Sequence, residues 1–251
     1  MKRSAFQGVA TVVRFNWHFY VLALAGAVVL VFISRFAPAW LALPVRAISI
    51  FTILSTGVSL VATWFAYDAS GLYRLHWLTP WLPEHGQAAN IHAVFDETTP
   101  LLRAQFPGIT WRVFDFYDPV KHTEVSIRRA LHAHPPAADT VPIATRAFPV
   151  PDGSLDRILL LLAAHEIRDE QERIGFFREL HRGLTANGLV IVTEHLRDAA
   201  NIAVYNLGAW HFHSDTMWRA AFEASRFDVV ATFKPAPLMT TFVLKKHGVP
   251  A

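Results

Sequence analysis

The sequence predicts an α/β protein whose doubly wound, mostly parallel sheet is preceded by a two-helix transmembrane hairpin. The first third of the chain holds two long stretches without a charged residue, and about 20 apolar residues in a helix span a bilayer. From about residue 87, short apolar runs alternate with segments of helical period. This alternation is the pattern of βαβ units, which pair into a parallel sheet.

Composition restricts the classes of function. Hydrophobic residues make up 53% of the 251 residues, and their excess lies in the first third. The net charge is +3 and no Lys/Arg run with interleaved aromatic residues occurs, so no nucleic-acid partner is expected. The chain has no cysteine, which excludes disulfides, thiolate metal ligands and a cysteine nucleophile. Hydrolase and NTPase functions lack support because neither a Gly-x-Ser-x-Gly turn nor a Walker-type loop is present.

Two spans, at about residues 15–34 and 47–67, are long and uncharged enough to cross a membrane. Trp17 and Tyr20 lie near the start of the first span, where interfacial aromatic residues belong. The connector at 35–46 is short and holds two prolines, so the spans should form an antiparallel hairpin. A cleaved signal peptide and two buried soluble helices are the alternatives. The first apolar region is too long for the former, and two such spans in tandem disfavour the latter.

The basic residues that flank the spans predict their orientation. The side that both chain ends share carries Lys2, Arg3, Arg14 and Arg74, and the connector carries Arg35 and Arg46. This bias predicts a multi-pass membrane protein with both termini in the cytoplasm, at the inner membrane if the source is bacterial. Membrane lipids are therefore expected partners.

Two domains are expected. The aromatic, proline-broken residues 72–83 should lie along the lipid headgroups as an interfacial collar. The hairpin and this collar then form one domain at 1–83, and an α/β domain follows at 84–251.

The α/β domain divides into strands and helices in a regular order. Strands are expected at 88–95, 110–115, 138–144, 155–164 and 189–193, and a terminal antiparallel pair at 227–233 and 240–245. Helices are expected at 97–106, 122–134, 169–184 and 216–225. The helix at 169–184 is the clearest, since Ile174, Phe177 and Leu180 share one face.

Several segments of this domain are similar, in order and spacing, to class I S-adenosylmethionine-dependent methyltransferases of the type 11-like group. The segments are Phe148-Pro-Val-Pro-Asp-Gly-Ser-Leu-Asp156, the strand end Ala163-Ala-His-Glu-Ile167, the helix, turn and strand at 177–192, and the closing helix and hairpin at 222–230 and 241–245. The resemblance covers about residues 88–246. It implies S-adenosylmethionine as the cofactor and methyl transfer as the reaction. With the hairpin, it implies a lipophilic or membrane-associated small molecule as the acceptor.

The resemblance is weakest at the cofactor site. The family carries a glycine-rich turn after the first strand, where the backbone approaches the methionine part of the cofactor. Here the turn is Asn90-Ile-His-Ala-Val-Phe-Asp96, without a glycine, and each added side chain would crowd that approach. Asp115 ends the second strand, where the family's acidic residue accepts hydrogen bonds from the ribose hydroxyls. Where the family has an acidic residue near the adenine, this chain has Ala144, with Arg146 close by.

The resemblance thus implies cofactor contacts in an altered site, from Asn90, His92, Asp96, Asp115 and Arg146. The alternatives are that the chain does not bind the cofactor and that Asp115 is a solvated loop residue.

Histidines recur at the predicted strand ends. The candidate catalytic residues are His165, Glu194, His195, His211 and His213. If they converge on one crevice, the histidines would be general bases with near-neutral pKa values that deprotonate an acceptor hydroxyl. Zinc or iron binding is the rival, but the spacing matches no metal-ligand signature, and no metal ligands are assigned. Hydrogen bonding at strand ends is the purely structural alternative.

Three functions remain open from the sequence. The first is a membrane-anchored methyltransferase. The second is a degenerate methyltransferase fold that acts as a membrane-tethered interaction protein. The third is a metal-dependent enzyme on the same scaffold.

Overall fold

The computed structural model describes residues 3–248, so Lys2 of the charge argument lies outside the described residues. Two long helices come first, α1 at Gln7–Ser34 and α2 at Ala39–Trp64, and they pack against each other. The chain then continues through short π and 3-10 turns at Phe65–Ala69, Leu72–Arg74 and His76–Leu78.

The hairpin has longer helices than the sequence indicated. α1 begins at Gln7 and α2 at Ala39, so the connector expected at 35–46 is wrong, and only 35–38 lie between the helices. Pro44 lies inside α2, where its missing N–H removes the hydrogen bond that the carbonyl of Trp40 would otherwise accept. The sequence suggested a break at this proline, but packing against α1 overrides it.

The outer surface of the hairpin is apolar and exposed. The most apolar windows of the two helical segments are only 11% and 6% buried, although core helices of soluble proteins are mostly buried. Leu22, Phe32, Leu54 and Val61 are each more than half exposed. Both helices are long and apolar enough to cross a bilayer.

Asp68 closes the open end of the hairpin. Its carboxylate accepts hydrogen bonds from the backbone N–H groups of Gly8 (2.7 Å) and Val9 (3.0 Å) in the first turn of α1. These are among the donors that a helix leaves without an intrahelical partner. A residue of the π turn after α2 therefore caps the start of α1.

The α/β part contains a seven-stranded sheet with the order β3-β2-β1-β4-β5-β7-β6. The strands are β1 (Gly86–His92), β2 (Ile109–Asp115), β3 (Thr140–Pro142), β4 (Leu155–Leu161), β5 (Leu184–His195), β6 (Phe227–Phe233) and β7 (Met239–Lys246). The first five strands are parallel, and β7 runs antiparallel between β5 and β6. The predicted mostly parallel sheet and its terminal antiparallel pair are confirmed.

Five helices accompany these strands. They are α3 (Thr99–Gln105), α4 (Val125–Ala133), α5 (Glu170–Gly183), α6 (Ala199–Tyr205) and α7 (Asp215–Ala224). Asp169, Asp198 and Ser214 begin the last three, each accepting a backbone N–H three residues on. The sequence did not predict α6 or the 3-10 turn Asn206–His211 that follows it.

The start of α1 belongs to the hydrophobic core of the α/β part. Phe15 is 7% exposed, and its ring packs edge-on against Phe95 and His134. Arg129 on α4 donates a hydrogen bond to the carbonyl of Phe15 (2.6 Å) and lies 2.7 Å from Nδ1 of His18. These contacts bring the hairpin against the carboxyl edge of the sheet.

Candidate active site

A cavity of about 870 Å³ lies where the carboxyl ends of β1, β4 and β5 face the hairpin. Ligands of doubly wound folds bind at this edge of the sheet. The register aligns His92 with Asp115 and Leu161 with Thr193, so these strands end at one level. The cavity continues from the sheet edge into the space between α1 and α2.

Half of the predicted site residues line this cavity, namely Asn90, His92, His165, His195 and His211. Asp96, Asp115, Arg146, Glu194 and His213 lie outside its wall. Arg146 is exposed to solvent, and no contact supports a cofactor role for it within residues 3–248.

His165 and two carboxylates form an ion-paired cluster beyond the end of β4. His165 Nδ1 lies 2.7 Å from Oε2 of Glu194, and its Nε2 lies 3.3 Å from Oε1 of Glu166. The backbone N–H of His165 also donates to Glu194 Oε1 (3.2 Å). Glu194 is fully buried behind His165, so it is a positioning residue rather than part of the cavity wall.

This cluster is charged at neutral pH. Burial by itself would lower the pKa of His165, but Glu194 and Glu166 outweigh it and raise that pKa to about 10. Burial would raise the pKa of Glu166, but the hydrogen bond and charge of His165 lower it below its usual value. The expectation of a near-neutral base at His165 is therefore wrong, because the two carboxylates keep its proton in place.

Glu166 is the member of the cluster that has an oxygen open to a ligand. Its Oε2 atom is buried and has no hydrogen-bond partner in the described part of the chain, and the residue lines the cavity. A buried carboxylate oxygen without a donor is costly to leave unsatisfied. This arrangement suits a ligand that donates a hydrogen bond.

His195 and Tyr67 join the sheet to the hairpin. His195 Nδ1 lies 2.9 Å from the carbonyl oxygen of Leu238, which can only accept, so Nδ1 carries the proton. Nε2 then accepts a hydrogen bond from the hydroxyl of Tyr67 (2.9 Å). Burial lowers the pKa of His195 to about 4, so the ring is neutral at pH 7. Tyr67 lines the cavity and was missed, since it lies 128 positions from its partner.

The last two candidate histidines occupy different environments. His211 lines the cavity, with its ring 6.0 Å from that of His165, and burial lowers its pKa to about 3. His213 packs edge-on against Trp218, 3.3 Å from a guanidinium nitrogen of Arg173. Burial likewise lowers the pKa of His213 to about 3. Its predicted catalytic role is unsupported, because it contacts core residues instead of the cavity.

The glycine-free turn after β1 keeps a backbone conformation typical of glycine. Val94 has a φ of 65°, which is uncommon and strained for a β-branched residue. Its backbone N–H donates to Asp115 Oδ1 (3.1 Å), as does that of Tyr117 (2.9 Å). Asp115 thus uses one oxygen to hold this glycine-free turn.

Asn90 and Asp96 also hold this turn. Asp96 Oδ1 accepts the backbone N–H groups of Thr98 and Thr99, both at 2.9 Å. The Asn90 amide donates to the hydroxyls of the same two threonines, at 3.0 and 2.7 Å. Their predicted cofactor contacts are therefore in doubt, because local hydrogen bonds occupy these side chains.

Two groups at this edge remain free to hold a cofactor. Both ring nitrogens of His92 are buried without a hydrogen-bond partner among residues 3–248, and the ring lines the cavity. Asp115 Oδ2 has no hydrogen bond or ion pair within the same range, although the residue is only half-buried. His92 fits a contact with S-adenosylmethionine at the turn, and Asp115 Oδ2 fits a hydrogen bond from one ribose hydroxyl. The other Asp115 oxygen is occupied by backbone N–H groups, so one carboxylate oxygen is available to the ribose instead of two.

No cluster of three or more His, Asp or Glu side chains in residues 3–248 is arranged to hold a metal ion.

No family model matches the sequence, and no curated protein matches it either. Its fold is nevertheless similar to that of solved methyltransferases. A SAM-dependent methyltransferase from Aquifex aeolicus aligns with 76% of this chain and 97% of its own, with a TM-score of 0.52 and 10% identity. A SAM-dependent methyltransferase from Methanosarcina mazei aligns with 70% and 98%, with a TM-score of 0.51 and 11% identity.

The structure of PigF with SAH aligns with 83% of this chain and 71% of its own, with a TM-score of 0.51 and 18% identity. At these identities the likeness concerns the fold. The α/β part therefore has the fold of SAM-dependent methyltransferases, as the order and spacing of its segments predicted.

Proposed function

We propose that this chain is a membrane-anchored S-adenosylmethionine-dependent methyltransferase that acts on a lipophilic or membrane-associated small molecule. One observation carries the proposal. A single cavity joins the carboxyl edge of a methyltransferase-like sheet to the space between two apolar helices. The solved structures with this fold include SAM-dependent methyltransferases, and PigF holds SAH.

The cofactor would supply an electrophilic methyl group. His92 would hold it at the turn after β1, and Asp115 Oδ2 would accept one ribose hydroxyl. Val94 supports this assignment, because its left-handed backbone keeps the turn in the shape that a glycine would give it. Such strain persists where the surrounding structure imposes it, and it clusters at functional sites.

The acceptor end of the cavity is suited to proton removal. A hydroxyl that gains a methyl group must lose its proton, and Glu166 Oε2 is a buried oxygen that can accept it. The protonated His165 holds Glu166 and the buried Glu194 in fixed positions. Positioning of this kind supplies much of the rate enhancement when the reacting groups are held in line.

The hairpin supports a membrane location for this chemistry. α1 and α2 present apolar side chains outward, and their hydropathy windows of 2.1 and 1.7 suit a bilayer. We propose that both helices cross the membrane and that both chain ends face the cytoplasm. The described basic residues Arg3, Arg14 and Arg74 favour this orientation over Arg35 in the connector and Arg46 near the start of α2.

Calorimetry with the purified full chain in detergent tests the proposal. Titration with S-adenosylmethionine should give saturable binding. Incubation with cofactor carrying an isotope-labelled methyl group and a membrane lipid extract should transfer the label to a lipid-soluble product, detected by mass spectrometry. Absence of cofactor binding would overturn the proposal.

A non-catalytic, membrane-tethered interaction protein is the second candidate. It is favoured by the turn after β1, where Asn90, Asp96 and one oxygen of Asp115 bind the chain's own groups. This candidate predicts that His92→Ala, Asp115→Ala and His165→Gln all leave the cellular phenotype of the protein unchanged. Loss of phenotype in all three, with wild-type protein levels in the membrane, would exclude it.

A further inference from the structure

The part of the cavity between the two helices is a groove with a wall of small side chains on α2. Thr52, Ser55, Thr56, Ser59 and Thr63 line it at helical spacing. The hydroxyls of Thr52, Thr56 and Thr63 donate to carbonyls of their own helix, at 2.8–2.9 Å. The hydroxyl groups of these three threonines are therefore already hydrogen-bonded within α2. The wall then offers small, largely apolar surfaces to a ligand.

The facing wall comes from α1 and is aromatic. Phe15, Phe19, Tyr20 and Ala23 line the same cavity. These residues belong to the uncharged stretch 15–34, and Ala23 lies near its middle. Phe15 packs in the core of the α/β part, so the portion of this stretch beyond His18 would lie in the hydrocarbon of a bilayer. The groove therefore reaches a depth where lipid chains lie.

The positive charges at the polar end of the cavity are already paired with carboxylates. The cationic side chains of its wall, within residues 3–248, are Arg168, paired with Glu124 (3.1 Å), and His165, paired with Glu194 and Glu166. Glu97 also lines the cavity, and Arg3 lies 2.9 Å from its carboxylate. An anionic headgroup would have to break an ion pair or lie beside carboxylates, which is costly in a buried site.

Besides His92, which the cofactor would occupy, the cavity wall within residues 3–248 has unsatisfied groups at Glu166 Oε2, Arg168 Nε and the Tyr205 hydroxyl. Glu166 Oε2 needs a donor, and Arg168 Nε–H needs an acceptor. A hydroxyl group donates one hydrogen bond and accepts others. An ammonium group only donates, so it would leave Arg168 Nε–H unsatisfied, and a phosphate dianion only accepts, so it would leave Glu166 Oε2 unsatisfied. The side chains of this cavity thus match a hydroxyl better than a phosphate or an amine.

We infer that the acceptor is an uncharged long-chain amphiphile with a hydroxyl headgroup, which enters from the bilayer with its chain between α1 and α2. The inference rests on the proposed function, because it names the substrate class of that site. Its binding step can nevertheless be measured without methyl transfer.

Photolabelling in phosphatidylcholine vesicles tests the inference. The full chain is reconstituted with a long-chain alcohol that carries a diazirine in its chain, or with the matched phosphate monoester. Cross-links of the alcohol should fall on the groove walls at residues 15–23 and 52–63. The phosphate should label them about tenfold less, since it must displace an ion pair.

Two substitutions of equal bulk provide the control. Ser59→Phe fills the groove and should abolish its labelling, whereas Val58→Phe lies on the outer face, where Val58 is 53% exposed, and should leave labelling unchanged. Ser59→Leu is a milder change that should lower the labelling in part. Calorimetric binding of S-adenosylmethionine should be the same in all three variants.

The outcomes separate the two ideas. Equal labelling by alcohol and phosphate, or labelling spread over the outer faces of both helices, overturns the inference while cofactor binding stands. Groove labelling by the alcohol alone, in a protein that binds no S-adenosylmethionine, overturns the proposed function and leaves the lipid site in place.

Discussion

The two halves of the sheet edge use their polar residues in opposite ways. On the side of β1 and β2, Asn90, Asp96 and one oxygen of Asp115 bind nearby backbone and hydroxyl groups and hold the turn that lacks glycine. On the side of β4 and β5, His165 and Glu166 form a charged cluster that faces the cavity.

This difference shows what replacing a glycine requires. A glycine turn keeps its shape without help from side chains, but a turn with Val94 at φ 65° needs outside hydrogen bonds to persist. The side chains that supply them have fewer atoms left for a ligand. On the β4 side the residue after the strand, Leu162, is also left-handed (φ 58°), but its backbone N–H is held by the carbonyl of Thr193 (2.8 Å). No polar side chain is needed there, so His165 and Glu166 remain free to face the cavity.

The largest loss of stability is expected from His165→Ala, on the β4 side of the edge. It leaves Glu194, which is fully buried, without its cation, and breaking such a pair costs about 3–5 kcal/mol. The unfolding free energy from denaturant titration in detergent checks this. His132→Ala, at an exposed position, should stay within about 0.5 kcal/mol of wild type. An equally small change in His165→Ala would mean that the cluster is not charged.

The pH dependence of stability tests the same cluster without removing a contact from the wild type. The pKa of His165 is raised in the folded state from 6.5 to about 10. Its contribution is therefore complete below pH 6.5, declines as the pH rises, and is lost above about pH 10. The wild-type melting temperature should fall more between pH 7 and 10 than that of His165→Gln. Parallel curves would contradict the ion pairs.

On the other half of the edge, Val94→Gly introduces a glycine at the left-handed position of the turn after β1. The Val94 side chain is buried in the core and does not line the cavity, so any gain comes from the backbone. Glycine adopts a φ of 65° without strain and lets the turn adjust to the cofactor, so the affinity for S-adenosylmethionine should rise by about tenfold at most. Ala93→Gly is the neighbouring control and should give no gain, since Val94 has a positive φ and Ala93 does not. Unchanged affinity in Val94→Gly would show that this turn does not limit cofactor binding.

The smallest effect is expected from Tyr67→Phe, which removes one hydrogen bond between the hairpin and β5. The loss should be about 1 kcal/mol, because a neutral hydrogen bond contributes roughly that much to stability. Thermal unfolding measures it, and Tyr117→Phe provides a comparison, because its hydroxyl has no hydrogen bond in the described chain. A larger loss than that of His165→Ala would reverse the ranking of the two contacts.

The elements that the sequence predicted are those with a strong local signal. The apolar run of β4 and the amphipathic face of α5, begun by the Asp169 cap, needed no distant information. The helix α6 was missed because it has only seven residues and its exposed positions, Ala199, Ala200, Ile202 and Ala203, are apolar, so no polar face gives it an amphipathic period. The first strand was expected to reach residue 95, but it ends at His92, before the left-handed Val94.

The site was only partly predictable. Placing candidates at strand ends identified His92, His165 and His195 in the cavity, since parallel strands end at one edge. Whether a polar side chain there is free depends on partners far away in the chain. Glu194 lies 29 positions from His165, and Tyr67 lies 128 from His195. Local patterns carry no record of such pairs.

The cap that Asp68 gives to α1 has a consequence for biosynthesis. The carboxylate lies 60 positions after Gly8, whose N–H it accepts, so the first turn of α1 stays uncapped until the whole second helix has been made. Chains are synthesised from the N-terminus at about 5–20 residues per second, and this interval lasts several seconds on the ribosome. The two helices are therefore completed as one unit, and truncation of the nascent chain before residue 68 would leave the first helix open at its start.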